Sequence, residues 1–359
     1  MLAKSISENT SGHGEHYITR NKREYFGMLA SAAGGGVIIA LMAGNKIRIT
    51  GLGLGDFTTA FLAGLNYGIG FMFIHMVHCT VATKQPAMTA ARIAEHVEQN
   101  DKARAVESKL AKLLIDVARS QAVAVFGNVV VAVIVASIVA ASVAESTGSP
   151  MLDAHSTAYQ FKSIDIIGHP TLWYAAIAGL WLFCSGIIAG FFDNRADYLN
   201  LRQRLPFNPL SRKIMRPKPR RILAAYIHKH YGSLVGNFIF GMLLGMTGYF
   251  GHLLGLPLDI RHVAFSSANL GYAAVSGNVG FGTFMLGICS VLAIGLVNLI
   301  VSFTLALFVA LRSRGTKIGS VGNLCKSFWQ QIKANPLILF FPVTPVQTKE
   351  PVKEQGEKH

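Results

Sequence analysis

The strongest constraint on this chain is a pair of uncharged apolar runs, residues 171–192 and 233–256, separated by a stretch that carries ten Lys and Arg residues. A helix rises about 1.5 Å per residue, so each run is long enough to cross the roughly 30 Å hydrocarbon core of a bilayer. The intervening stretch, residues 193–232, is therefore read as a basic loop between two membrane spans. It sets which side of the bilayer the rest of the chain occupies. With 51% hydrophobic and 14% charged residues, the chain departs from soluble domains, where about a quarter of residues are charged. Cys79, Cys184, Cys289 and Cys325 are scattered, without the paired spacings that build zinc sites or disulfide frameworks. They read as small apolar fillers. Residues 1–26 are polar, and no cleavage pattern follows the first apolar run, so a removable signal peptide is not expected.

Read along its length, the chain predicts an all-α fold: a polytopic transmembrane bundle with spans at about residues 26–43, 57–82, 121–143, 171–192, 233–256 and 283–311. Residues 1–25 form a cytoplasmic segment and 312–359 a cytoplasmic tail. The first span is interrupted by Gly34, Gly35 and Gly36, small residues that permit close helix contact. Between the second and third spans, Ile93, Val97, Val106, Leu110, Leu113, Leu114 and Val117 recur near helical spacing around a turn at Gln99, Asn100 and Asp101, which predicts a cytoplasmic helical hairpin. In the tail, Val321, Leu324, Cys325, Phe328 and Ile332 share one face of an interfacial amphipathic helix. The apolar run 337–341 that follows is too short to cross, and the last residues are polar and expected to be disordered. Residues 263–282 are uncharged too, but Ser266, Ser267, Asn269, Ser276 and Asn278 make them a poor span, and they are read as non-crossing. With six spans, 29 of the 33 Lys and Arg residues fall on one side. The positive-inside rule then places both termini and the two long loops in the cytoplasm.

Four motifs occur in order: G-E-H-Y-I-T-R at residues 14–20, A-T-K-Q-P-A-M-T-A at 82–90, D-N-R-A-D-Y at 193–198, and R-H-V-A-F-S-S-A-N-L-G-Y at 261–272. Through them the chain resembles the bacterial integral membrane family of Gcr-type site-specific recombinases, over about residues 14–342. The resemblance implies a place in the bacterial inner membrane and, by the family's name, DNA recombination. Members typically carry a long helical cytoplasmic region ahead of the first span, so this chain is expected to be the membrane half alone. The likeness carries over no catalytic residue.

The residues themselves show no recombinase chemistry. A tyrosine recombinase needs arginines and a His-x-x-Arg around the scissile phosphate, because charge developing there must be neutralised; a serine recombinase needs an exposed serine among arginines, usually in a Tyr-x-Arg-x-Ser setting near the start of a soluble domain. Neither pattern occurs, nor does a Walker loop or dinucleotide fingerprint. No catalytic set and no cofactor is expected. On the second span, Gly64, Gly68, His75 and His78 fall within about 80° of one another on a helix of 3.6 residues per turn. This is a packing face with two imidazoles. His75 and His78, beside Cys79, are weak candidates for metal ligands, against the plainer reading that they hydrogen-bond a neighbouring helix. On the fifth span Gly241, Gly245, Gly248, Gly251 and Gly255 line one face with Asn237 and His252, which predicts close helix packing.

The basic loop contains Arg202, Arg204, Arg212, Lys213, Arg216, Lys218, Arg220 and Arg221, punctuated by Pro206, Pro209, Pro217 and Pro219. The prolines favour short segments over one projecting helix. Such charges serve topogenesis, contact with anionic lipid head groups, or DNA phosphates if the family name is literal. The leading functional reading is a non-enzymatic scaffold or lipid-surface protein, working with a cytoplasmic protein partner or as a homo-oligomer. The alternatives are a site-specific DNA recombinase and a transporter or channel for an apolar or lipid-like substrate. Against transport, the spans as drawn hold no Asp, Glu, Lys or Arg.

Overall fold

Backbone in a bilayer must satisfy its own hydrogen bonds, which leaves uncharged apolar runs little choice but helix. The computed structural model describes residues 19, 21–81, 103–314, 321–339 and 341–342. In order, the helices are α1 (Lys22–Thr50), α2 (Asp56–Met76), α3 (Ala103–Thr147), α4 (Ala154–Ile164), α5 (Thr171–Tyr198), the short α6 (Leu201–Arg204) and α7 (Pro209–Ile214), α8 (Pro217–Leu254), α9 (Val263–Ser276), α10 (Phe281–Arg314) and α11 (Val321–Ala334). Among the described residues α1, α2, α3, α5, α8 and α10 are long and apolar enough to cross a membrane. Their outward side chains include Phe126, Ile134, Ile138, Leu296, Ile300 and Phe308, all exposed, as lipid-facing positions should be. Thr19, bound to Ser120 through its N–H at 2.9 Å, and the Tyr25–Phe341 ring pair at 5.7 Å put the first and last described segments at the same end. That end also carries the link between α5 and α8, and is called the basic end below.

Several boundaries differ from the sequence expectation, each for a local reason. The glycine triplet does not interrupt α1. It makes room instead: a methyl on Gly34 or Gly35 would collide with Cys79 or the Thr80 carbonyl, and one on Gly36 with the backbone of α3 at Asn128. Asn21 caps α1 by accepting the Glu24 N–H at 2.9 Å, and the helix runs on to Thr50, taking Lys46 and Arg48 into it. The region expected as the hairpin's second arm is one helix with the third span, 45 residues in all and about 68 Å long at 1.5 Å per residue. The expected first arm and turn lie outside the described residues, as do the polar tail after residue 342 and the first two family motifs apart from Thr19. The basic loop is shorter than expected, because α8 begins at Pro217. Pro217 and Pro219 occupy the first turn, where the missing N–H groups have no intrahelical role. Half of the expected loop's basic side chains therefore stand on or at the start of a long helix.

α8 packs against α2 and α5, α10 against α5, and α1 against α3. α9 joins these groups by lying against α3, α10, α1 and α4. It is only 14 residues long, about 21 Å, and starts deep: the His262 ring lies 5.7 Å from Phe240 and 6.4 Å from Phe71, ring centre to ring centre. Its other end returns to α4, where Ser276 accepts the Leu152 N–H at 3.3 Å. Residues 255–280 thus enter and leave the bundle at the end away from the basic one. Non-helical backbone at that depth needs internal partners, and Asn298 of α10 supplies them: it accepts the Val263 N–H at 3.0 Å and donates to the carbonyls of Ala175 at 2.7 Å and Arg261 at 2.9 Å. Tyr272 closes the other side, donating to the Ala40 carbonyl at 2.9 Å above Gly44, where any side chain would meet its hydroxyl. Around this plug Tyr67, Phe71, Phe240, Phe265 and Tyr272 form the buried core with small residues of α1 and α3.

Candidate functional site

At the basic end, Arg202, Arg204, Arg212, Lys213, Arg216, Lys218 and Arg221 are exposed and Arg220 is half-buried. The D-N-R-A-D-Y motif anchors this region. Asp193 accepts the Gly232 N–H at 2.8 Å, Asp197 stands 3.5 Å from the His228 ring, and Gly232 is pressed so closely on α5 that a methyl would strike the Ala189 carbonyl. Between the cations, Phe207, Leu210 and Ile214 are 68%, 68% and 77% exposed.

The histidine pair is not arranged as a helix wheel implies. α2 ends at Met76, and His78 turns away in a left-handed conformation, φ 57°. That turn is held from outside the helix, by the Ser31 hydroxyl donating to the His78 carbonyl at 3.0 Å. His75 meets His230 of α8 instead, ring nitrogens 3.1 Å apart, with Tyr226 beside His230. Among the described residues no cluster of three or more His, Cys, Asp or Glu is placed to hold a metal.

The glycine face of α8 serves two partners. Methyls on Gly241 and Gly245 would collide with the backbone of Gly68 and Gly64, so these two positions set the α2–α8 approach. Gly248 and Gly251 face the descending segment instead, at Asp259 and Leu258. Asn237 donates to the Ser233 carbonyl of its own helix at 2.7 Å.

That division opens a polar chamber which the sequence reading did not identify. It holds about 190 Å³ and is lined by Lys46 of α1, Tyr67 of α2, Tyr159, Gln160 and Ser163 of α4, Gly245 and Gly248 of α8, and Asp259, Arg261, His262, Ser266 and Asn269 of the inserted segment. Arg261 is locked in place. It pairs with Asp259 at 2.6 Å, donates to the Ser163 carbonyl at 2.7 Å and lies over the Tyr174 ring at 5.3 Å. The other Asp259 oxygen accepts the Ile260 N–H at 2.8 Å. The Lys46 ammonium makes no hydrogen bond or ion pair with any described residue, while the backbone carbonyl of Lys46 accepts the Thr50 hydroxyl at 3.0 Å. These charges lie outside the spans as drawn: Lys46 stands in the last turns of α1, in the expected link, and the inserted segment brings Asp259 and Arg261. The sequence did hold a signal: Arg261 is the one basic residue of its segment and opens the longest family motif.

Six candidate spans and a half-length helix held between them are the architecture of a polytopic α-helical membrane protein. The family model described as Site-specific recombinase matches residues 1–342, and the chain belongs to that family. No curated protein and no solved structure matches it.

Proposed function

We propose that this is a non-enzymatic inner-membrane protein whose basic end faces the cytoplasm and rests on anionic lipid. The observation that supports this reading is the interleaving at that end: exposed Phe207, Leu210 and Ile214 stand among exposed Arg202, Arg204, Arg212 and Lys213. An interfacial segment buries such apolar side chains at the boundary of head groups and acyl chains while its cations meet the phosphates. Each Lys or Arg near an anionic surface contributes about 1 kcal/mol. A DNA duplex offers phosphates to the same cations but no apolar layer for the three side chains. The family description favours a second reading, site-specific recombination, in which the cations track a DNA backbone.

Nanodiscs separate the two. The full chain should retain spin-labelled phosphatidylglycerol in its motionally restricted lipid fraction, and replacing Phe207, Leu210 and Ile214 by Ser, or Arg216, Lys218, Arg220 and Arg221 by Gln, should reduce that retention. Duplex DNA should bind weakly and without site preference. Site-preferring binding followed by strand cutting or joining would replace the lipid reading with the recombinase one.

A further inference from the structure

The chamber behind α9 lies at the end of the bundle away from the basic one, and the lipid-surface reading makes no use of it. We propose that it is a binding site for one small oxyanion, a phosphate or a carboxylate, with the Lys46 ammonium as its counter-charge.

Charge supports this first. The wall contains two cations and one carboxylate, and the carboxylate is committed: Asp259 pairs with Arg261 through one oxygen and accepts the Ile260 N–H with the other. The Lys46 ammonium faces the same space without a hydrogen bond or ion pair to any described residue, and the carboxylate whose charge acts on it, Asp259, is already held by Arg261. An ammonium inside a bundle is costly without a partner, and charged groups in such positions line ligand paths far more often than they fill space. The α9 half-helix adds to the field, since it begins on this wall at His262 and the N-terminal end of its dipole is positive.

Donor chemistry and size support it as well. Tyr67, Tyr159, Ser266, Gln160 and Asn269 present hydroxyl and amide groups around the same space, which suits the several lone pairs of an oxyanion. The volume of about 190 Å³ is below the roughly 300–1,000 Å³ of sites for drug-sized ligands. It suits a phosphate, a small organic acid, or the phosphate of a lipid head group entering from the membrane surface.

The test is calorimetric titration of the full chain in detergent with inorganic phosphate and with acetate, against a chloride control. The native protein should take up at least one of the two anions saturably, one per chain. Lys46→Gln should weaken that uptake about tenfold or more, as expected for loss of a charge-assisted contact, and Lys46→Arg should restore it. Absence of saturable uptake of either anion by the native protein overturns the proposal, as does uptake that Lys46→Gln leaves unchanged. The native titration alone decides the matter if Lys46→Gln fails to fold. Repeating it in nanodiscs of phosphatidylcholine, with and without phosphatidylglycerol, distinguishes the sources of the anion. Suppression by phosphatidylglycerol identifies a lipid phosphate as occupant, and equal uptake in both identifies a free anion.

Discussion

Asn298 is fully buried and bonds three backbone groups that have few other ways to be satisfied. Asn298→Leu keeps the volume and removes the amide, leaving buried groups unpaired at about 1–3 kcal/mol each. The expected result is a clearly lowered thermal midpoint in detergent, and Asn298→Asp should lower it as well, because a carboxylate there faces the Ala175 and Arg261 carbonyl oxygens. Gly241 is constrained by space. Gly241→Val should drive α2 and α8 apart at a cost of about 1–3 kcal/mol or more, whereas Gly280→Ala, with no atom within 4 Å of the new methyl, should leave the midpoint unchanged. The inward parts of the glycine face were legible because the 3.6-residue repeat places Gly241 and Gly245 together whatever they touch. What they touch was not, since the division of the face between α2 and residues 258–259 depends on a chain segment whose depth no local pattern encodes. His78 illustrates the same limit: a contact from Ser31, 47 positions away, helps set where α2 stops.

Among the elements, the six long helices followed from run length and lack of charge, and the terminal turns did not. Proline was read as a barrier to helix in the basic link, yet at the first turn of α8 it is compatible with helix, and only the start of that helix distinguishes the two cases. α4, at the far end, was not anticipated, because residues 154–164 lack a long apolar run and depend on local caps. Hydrogen bonds from the Ser156 hydroxyl and N–H hold the Asp153 carboxyl below its ordinary range, and those from the Gly168 and Ile167 N–H groups do the same for Asp165. Carboxylates depressed in the folded state add stability that is complete above their ordinary values near 4 and lost as pH falls through the lower folded values. Hydrogen exchange over residues 150–170, corrected for intrinsic rate, should therefore show steady protection from pH 8 to pH 5 and loss below about pH 4. The double variant Asp153→Asn, Asp165→Asn should flatten that dependence.

For the whole molecule, the charge distribution predicts an orientation with both termini in the cytoplasm. A reporter active only in the cytoplasm, fused after Lys358, should be active; a silent fusion that becomes active when moved to the 148–153 loop would reverse the assignment. The inserted segment also bears on the order in which the protein is made. Residues 255–280 leave the ribosome before α10, but their deep turn depends on the amide of Asn298, which is translated later. Until α10 arrives, the Val263 N–H and the Arg261 carbonyl lack the amide that satisfies them, so α9 is expected to dock stably only after the last span has formed. On that order the chamber closes only once Asn298 has been made, and nascent chains arrested before Asn298 should carry an α9 that quality-control proteases still reach.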